Sequence, residues 1–264
     1  MSAVGYETIE LAVDGGVARL TLNRPDAANA INPQMAAELR DASIALRFDP
    51  SVRAVLVSAR GKLFCGGGDL RAFNDAGSGA GPLLAGTATD LHVALATFAE
   101  MDAPVVVGVR GSAGGAGMSL IAAADLVVAG ERAKFTMGYT AAGLAPDGGS
   151  TFFLSRVVGL RRAMDLVLTN RVLDAREAEA WGLVNRVVAD DRVDDEAGAL
   201  ASTLAAGPTA TLGVAKRLVI DGASSALGAA LNRETIAISA AADSADGREG
   251  IAAFVEKRPA RFGR

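Results

Sequence analysis

The chain has one cysteine, one histidine and one tryptophan among its 264 residues, and aromatics make up only 5%. A single cysteine, Cys65, rules out an intrachain disulfide. With His92 as the sole imidazole, a His/Cys zinc site is all but excluded. The acids show no clustering at a spacing that would hold Mg²⁺, so no metal is expected. Basic runs are missing too: 26 Lys and Arg face 30 Asp and Glu, giving a net charge of −4 and a pI near 5.2. That balance argues against nucleic acid as a partner. It leaves room for a small anion, which needs only a few local cations and backbone N–H groups. No apolar stretch is long and uncharged enough to span a membrane, and residues 1–10 have no basic segment leading into an apolar one. The expectation is a cytoplasmic chain with no membrane partner. Residues 104–125 do not match G-x-G-x-x-G, and the chain has no G-x-S-x-G or Walker A pattern. Dinucleotide binding, a nucleophile-elbow hydrolase and P-loop chemistry are therefore unsupported.

What is present is aliphatic. Half the residues are hydrophobic, so the core must be built from Ala, Val, Leu and Ile, with 31 glycines allowing close approach. Residues 7–13 and 17–22 alternate around Asp14-Gly15-Gly16 and predict a β-hairpin. Asn32-Pro33 opens an amphipathic helix reaching Phe48. Residues 52–58 and 104–109 read as buried strands, and 126–129 and 134–136 as short ones. Residues 61–68 and 111–117 are glycine-rich turns, the second leading into an apolar helix over 116–124. Residues 77–86 (GSGAGPLLAG) read as a mobile loop, followed by a helix over 87–101. Beyond Arg161 the pattern is almost wholly helical, with candidates at 159–169, 175–181, 194–205, 208–220, 227–242 and 247–257. The fold class is α/β, with an α/β core over 1–200 and a helical subdomain over 201–264.

Chemistry concentrates in residues 104–125, PVVVGVRGSAGGAGMSLIAAAD. A buried strand enters a glycine-rich turn and then a helix. The helix start leaves N–H groups without internal partners at the positive end of the dipole, a place suited to a negative oxygen. The same glycines would also serve tight packing alone, and spacing does not separate the two.

This segment resembles the signature of the crotonase (enoyl-CoA hydratase/isomerase) superfamily. Further segments resemble that family in its own order: LTLNRPDAANAI at 20–31, FCGGGDL at 64–70, GLAPDGGSTFFL at 143–154, WGLV at 181–184 and EGIAAFVEKR at 249–258. The resemblance implies a crotonase-like ββα spiral core with a C-terminal helical trimerisation subdomain. It also implies a homotrimer or dimer of trimers and an acyl-CoA substrate of fatty acid metabolism. Coenzyme A would be part of the substrate, with no separate cofactor. The backbone N–H groups of Gly68 and Ala116 would form an oxyanion hole for a thioester enolate, each worth about 3 kcal/mol. Ala116 stands where the family usually has glycine. For CoA, Arg24 to Ala28 would line the adenosine end. Asp69, Leu70 and Arg71 would follow the oxyanion glycine, with Arg71 meeting a phosphate. Phe254 and Lys257 would reach the CoA of a neighbouring subunit.

The reaction rests on side chains. Hydratases of the family use two glutamates, and this chain has Ser119 and Tyr139 at those places. The acid that remains is Asp147, matching the acidic residue of several family isomerases. One carboxylate suffices to take a proton from one carbon and return it two carbons away. An apolar pocket of Phe135, Met137, Leu144 and Phe152 would strengthen it as a base. The favoured expectation is an enoyl-CoA isomerase with Asp147 as proton shuttle. A hydratase-type lyase with non-standard acid and base is one alternative. An aryl-CoA dehalogenase is another, with Asp147 as nucleophile and His92 as the base that activates water. There the tryptophan that supports the family's aspartate is replaced by Tyr139. A non-catalytic CoA- or RNA-binding scaffold is a third.

Overall fold

The computed structural model describes residues 5–263. Residues 1–4, the start of the segment read as having no leader, lie outside the described residues, as does Arg264. Strands β1 (Ile9–Asp14) and β2 (Val17–Leu22) form the expected hairpin. Its two-residue turn, Gly15 and Gly16, has positive φ at both positions, as a tight hairpin turn requires. Helix α1 (Pro33–Phe48) is capped by Asn32, whose side chain accepts the Met35 N–H at 2.9 Å. Then come β3 (Ala54–Ala59), the short α2 (Leu70–Asp75), α3 (Ala80–Glu100), β4 (Val105–Val109), β5 (Ser112–Gly114) and α4 (Ala116–Ala123). Next are β6 (Leu126–Gly130), β7 (Lys134–Thr136), α5 (Ser150–Val157), α6 (Leu160–Thr169), β8 (Leu173–Asp174), α7 (Ala175–Ala180) and β9 (Arg186–Val188). Helices α8 (Val193–Ala205), α9 (Thr209–Gly222), α10 (Leu227–Asp243) and α11 (Ala245–Glu256) complete the chain.

The strands form two sheets, one in the order β1-β2-β3-β4-β6-β9 and a small one in the order β5-β7-β8. From β2 onward the large sheet is parallel, so its central strands are covered on both faces. Strand β4 is buried at every position for that reason. One face carries the main core with α1, α3 and α4; the other carries Val106 and Val128 against Ala197, Ala201 and Ala205 of α8. Helix α8 runs across the 200/201 division drawn from the sequence.

Two readings of the sequence are corrected. Residues 80–86 are helical, because α3 begins at Ala80 rather than Thr87. Pro82 falls in the first helical turn, where its missing N–H has no partner to lose. The last third is not wholly helical either. Arg186–Val188 forms β9, the edge strand beside β6, and three residues carry too little periodicity to announce it. Among the described residues no helix is long and apolar enough to cross a membrane.

Lys216 joins α9 to the core. Its Nζ donates to the Phe98 carbonyl at 2.7 Å and to Asp125 Oδ2 at 2.9 Å, and the same Oδ2 accepts the Val105 N–H at 2.7 Å. Breaking a buried pair leaves an uncompensated charge. Lys216→Met should therefore cost about 3 kcal/mol or more. An unchanged urea midpoint would refute this.

Candidate active site

The site begins with two glycine-rich loops laid side by side. The Phe64 N–H donates to the Ser112 carbonyl at 3.1 Å, and the Gly114 N–H donates to the Cys65 carbonyl at 2.9 Å. A third segment joins them: the Gly66 N–H reaches the Ala28 carbonyl at 2.9 Å, and the Ile31 N–H reaches the Gly67 carbonyl at 2.7 Å. Packing this close forbids side chains. A Cβ on Gly117 would lie 2.6 Å from the Cys65 carbonyl oxygen, and one on Gly111 would lie 1.9 Å from that of Lys62. The Cys65 thiol is sealed beneath the loops, and burial pushes its pKa up to about 12, so it is no nucleophile.

This arrangement leaves the Gly68 and Ala116 N–H groups without a protein acceptor among the described residues. Both line one cavity of about 400 Å³, and Tyr139 and Asp147 line the same cavity. Asp147 is the sole acid among its lining residues. The cavity is otherwise mostly apolar.

Asp147 sits in a small network. Tyr139 donates its hydroxyl to Asp147 Oδ1 at 2.6 Å. Ser119, fully buried behind the cavity wall, has its Oγ 3.0 Å from the Tyr139 hydroxyl and 3.0 Å from the Asp147 backbone carbonyl. Burial first, then the negative charge of Asp147, hold the Tyr139 pKa well above its ordinary value, so the phenol stays a neutral donor. Gly148 bends the chain directly over Ser119, with φ of +61° and a Cβ position only 2.6 Å from the serine Cβ. His92 lies outside the cavity lining; its Nε2 accepts the Gly148 N–H at 3.0 Å.

The residues read as CoA contacts divide. Arg24 donates to Asp69 Oδ2 at 2.9 Å and also to the Ala30 carbonyl. It ties the 24–31 segment to Asp69, next to Gly68. Asp69 also caps α2 by accepting the Ala72 N–H at 3.3 Å. Ala28 turns through a left-handed conformation, with φ of +54°. Leu70 lies at the cavity, and Arg71 is exposed with no ion-pair partner among the described residues. Phe254 and Lys257 are exposed at the end of α11 and do not line this chain's own cavity.

The apolar wall differs from the sequence reading. Of the four residues expected there, only Leu144 lines the cavity. Phe135 and Met137 are buried beneath it, and Phe152 turns outward under the Arg156 guanidinium. Helix α3 supplies the wall instead, through Leu84, Ala88 and Leu91. Of these, Leu84 falls in the stretch that reads as a loop, whereas Ala88 and Leu91 lie in the helix read from the sequence, whose cavity-facing side carries no local signal. Asn29 was also missed. Wholly buried, it accepts the Arg24 N–H and donates to the Arg60 and Leu63 carbonyls, all at 2.8 Å. An asparagine among small residues gives no signal of that role.

The enoyl-CoA hydratase/isomerase family profile matches residues 12–264. The chain is 38% identical over 251 residues to 1,2-epoxyphenylacetyl-CoA isomerase of Escherichia coli, covering 95% of this chain and 96% of that one. It is 32% identical to 4-chlorobenzoyl coenzyme A dehalogenase-2 of Arthrobacter sp., covering 97% and 94%. A crystal structure of an enoyl-CoA hydratase from Polaromonas sp. superposes with a TM-score of 0.92 at 32% identity, covering 97% of this chain and 99% of that one. The chain belongs to the enoyl-CoA hydratase/isomerase family, within the crotonase superfamily of acyl-CoA enzymes, and has that fold.

The loop contact offers a direct test. Gly117→Ala should destabilise the protein by about 1–3 kcal/mol, because backbone rather than a flexible side chain must yield. It should also lower turnover of acyl-CoA by displacing the Ala116 N–H. Wild-type melting temperature and activity in this variant would contradict the assignment.

Proposed function

We propose that the protein is an enoyl-CoA isomerase in which Asp147 carries a proton between two carbons of the acyl group. One observation carries this reading: Asp147 is the single carboxylate lining the cavity onto which the unpaired Gly68 and Ala116 N–H groups open. The thioester oxygen would rest on those two donors. Asp147 would take a proton from C2 of a 3-enoyl-CoA, the carbon between the thioester carbonyl and the C3=C4 double bond, and the negative charge would spread into a dienolate whose oxygen rests on those donors. The same carboxyl would then return the proton two carbons away. No redox change occurs, so no cofactor is called for beyond the CoA of the substrate. Hydration would have to activate water and protonate carbon as well. Ser119 and Tyr139 bring no second carboxylate to the site. The 38% identity to an enzyme named as an isomerase of an acyl-CoA is in keeping with this choice, and a relative named as a probable hydratase stands close behind at 36%. In this reading the protein is cytoplasmic, with no nucleic-acid or membrane partner.

The assembly is proposed to be a homotrimer or a dimer of trimers. Helices α10 and α11 expose Leu227, Ile238, Phe254 and Val255, each about three-quarters exposed or more, from 73% to 86%. Such a face on a single chain is one that burial against a neighbour would stabilise. Phe254 and Lys257 would there meet the neighbour's CoA, and Arg71 the phosphates of the chain's own. A clean monomer by light scattering at micromolar concentration would reject this assembly.

Asp147→Asn should lower conversion of a 3-enoyl-CoA to the conjugated 2-enoyl-CoA by about 100-fold or more, with CoA affinity retained. Its absorbance change measures the rate. The dehalogenase relative makes a second outcome worth separating. A nucleophilic Asp147 would form an aryl ester with 4-chlorobenzoyl-CoA, and hydrolysis in H₂¹⁸O would leave label in its carboxylate. A shuttle never bonds to substrate, so no label is expected. His92→Gln should cost less than about tenfold, below the usual loss of a general base.

A further inference from the structure

A carboxylate that shuttles a proton must present one oxygen to the substrate and keep it there through both half-reactions. We propose that Tyr139 and Ser119 are positioning residues that clamp Asp147 by Oδ1, leaving Oδ2 as the single oxygen that carries the proton. The proposal rests on the shuttle reading of Asp147.

The geometry is specific. The Tyr139 hydroxyl lies 2.6 Å from Oδ1, the short distance of a charge-assisted bond. Among the described residues Oδ2 has no hydrogen-bond partner, and Asp147 lines the cavity. Ser119 backs the clamp: its Oγ donates to the Asp147 backbone carbonyl at 3.0 Å and packs 3.0 Å from the Tyr139 hydroxyl, whose own proton goes to Oδ1. It comes from α4, the helix whose first N–H belongs to the oxyanion pair. The clamp therefore fixes the carboxylate relative to those donors. The titratable side chains facing the Asp147 turn are Tyr139 and, through the Gly148 N–H, His92 of α3.

The clamp survives the chemistry without rearranging. When Asp147 is ionised, Tyr139 donates to Oδ1. When a C–H bond breaks and its proton moves to Oδ2, Oδ1 becomes the carbonyl oxygen of the acid and still accepts from Tyr139. When Oδ2 returns the proton to the distal carbon, the starting state is restored. Tyr139 keeps its own proton throughout.

Removing the donor takes away a bond that favours the charged carboxylate. The acid limb of the kcat profile should therefore move to higher pH. Tyr139→Phe should show that rise. A kcat loss of about tenfold or more should accompany it, with KM close to wild type, because the carboxylate is no longer held in register. Ser119→Ala should shift the limb the same way by less. A stricter series replaces Tyr139 with 3-fluorotyrosine and 3,5-difluorotyrosine, which preserve the ring and strengthen the donor stepwise. The acid limb should then move to lower pH in the order of phenol acidity. A role confined to packing would not follow that order. Asp147→Asn is run beside these. If it is inactive while the limb ignores the tyrosine series, the clamp alone is overturned. If it keeps isomerase activity, the shuttle reading fails and the clamp fails with it.

Discussion

Two backbone N–H groups, on Gly68 and Ala116, are held in an apolar cavity with no protein acceptor among the described residues. A backbone donor pairs with any acceptor within reach, so the surrounding structure must keep protein acceptors away from these two. It does so by using up the nearby alternatives. The Cys65, Gly67 and Ala28 carbonyls are already engaged by Gly114, Ile31 and Gly66. The glycines follow from that crossing. Gly111 and Gly117 have no room for a Cβ, whereas Ala116 lies on the cavity side, where its methyl forms part of the wall.

The supports of this crossing are polar and buried. Asn29 satisfies three backbone groups where the chain turns left-handed, and Arg24 bridges the same segment to Asp69. Behind the sheet, the Lys216–Asp125 pair does a similar job at larger scale. Burial pushes the Asp125 pKa up and the Lys216 pKa down, each opposed by the partner's charge. Both groups are thus driven toward neutrality by the same desolvation. The pair contributes little net stability as a pair, and its value is in where it places α9. Asp125 ends the segment that leaves α4, so the ion pair and the helix that begins at Ala116 share a short stretch of chain.

How far the sequence disclosed this depended on whether a feature is local. Strands β3 and β4 were legible because parallel strands covered on both faces must be continuously apolar, as VVVGV is. The α/β class, the hairpin and the crossing of the two glycine-rich loops were legible for comparable reasons: glycine at a crossing and alternation at a hairpin leave marks in one stretch of chain. Helix α3 was cut short in the reading because Gly and Pro near residue 80 resemble a loop, though a helix tolerates both in its first turn. That reading left Leu84 outside any helix, and the cavity wall expected at Phe135 and Phe152 is formed by α3 instead, while those two residues face elsewhere. The contact among Ser119, Tyr139 and Asp147 was beyond reach for another reason. Its members come from a helix and two separate turns, and only the tertiary fold brings their oxygens within 3.0 Å.

That contact gives meaning to two residues that first registered as losses. The family resemblance sets Ser119 and Tyr139 against the two glutamates of its hydratases, so their hydroxyls look at first like a depleted site. A hydroxyl differs from a carboxylate in what it does to a neighbouring acid. A second carboxylate beside Asp147 would repel its charge and split their titrations. A neutral phenol donates to it and leaves one oxygen committed. His92 completes the setting by accepting the Gly148 N–H, which occupies the Nε2 lone pair that a base would need. The site is thereby reduced to one acid with one uncommitted oxygen beside two waiting N–H donors. Such an arrangement suits a reaction whose whole chemistry is the departure and return of one proton. A reaction that must also activate water would call on a further acid–base group, and among the described residues the cavity wall carries no other carboxylate.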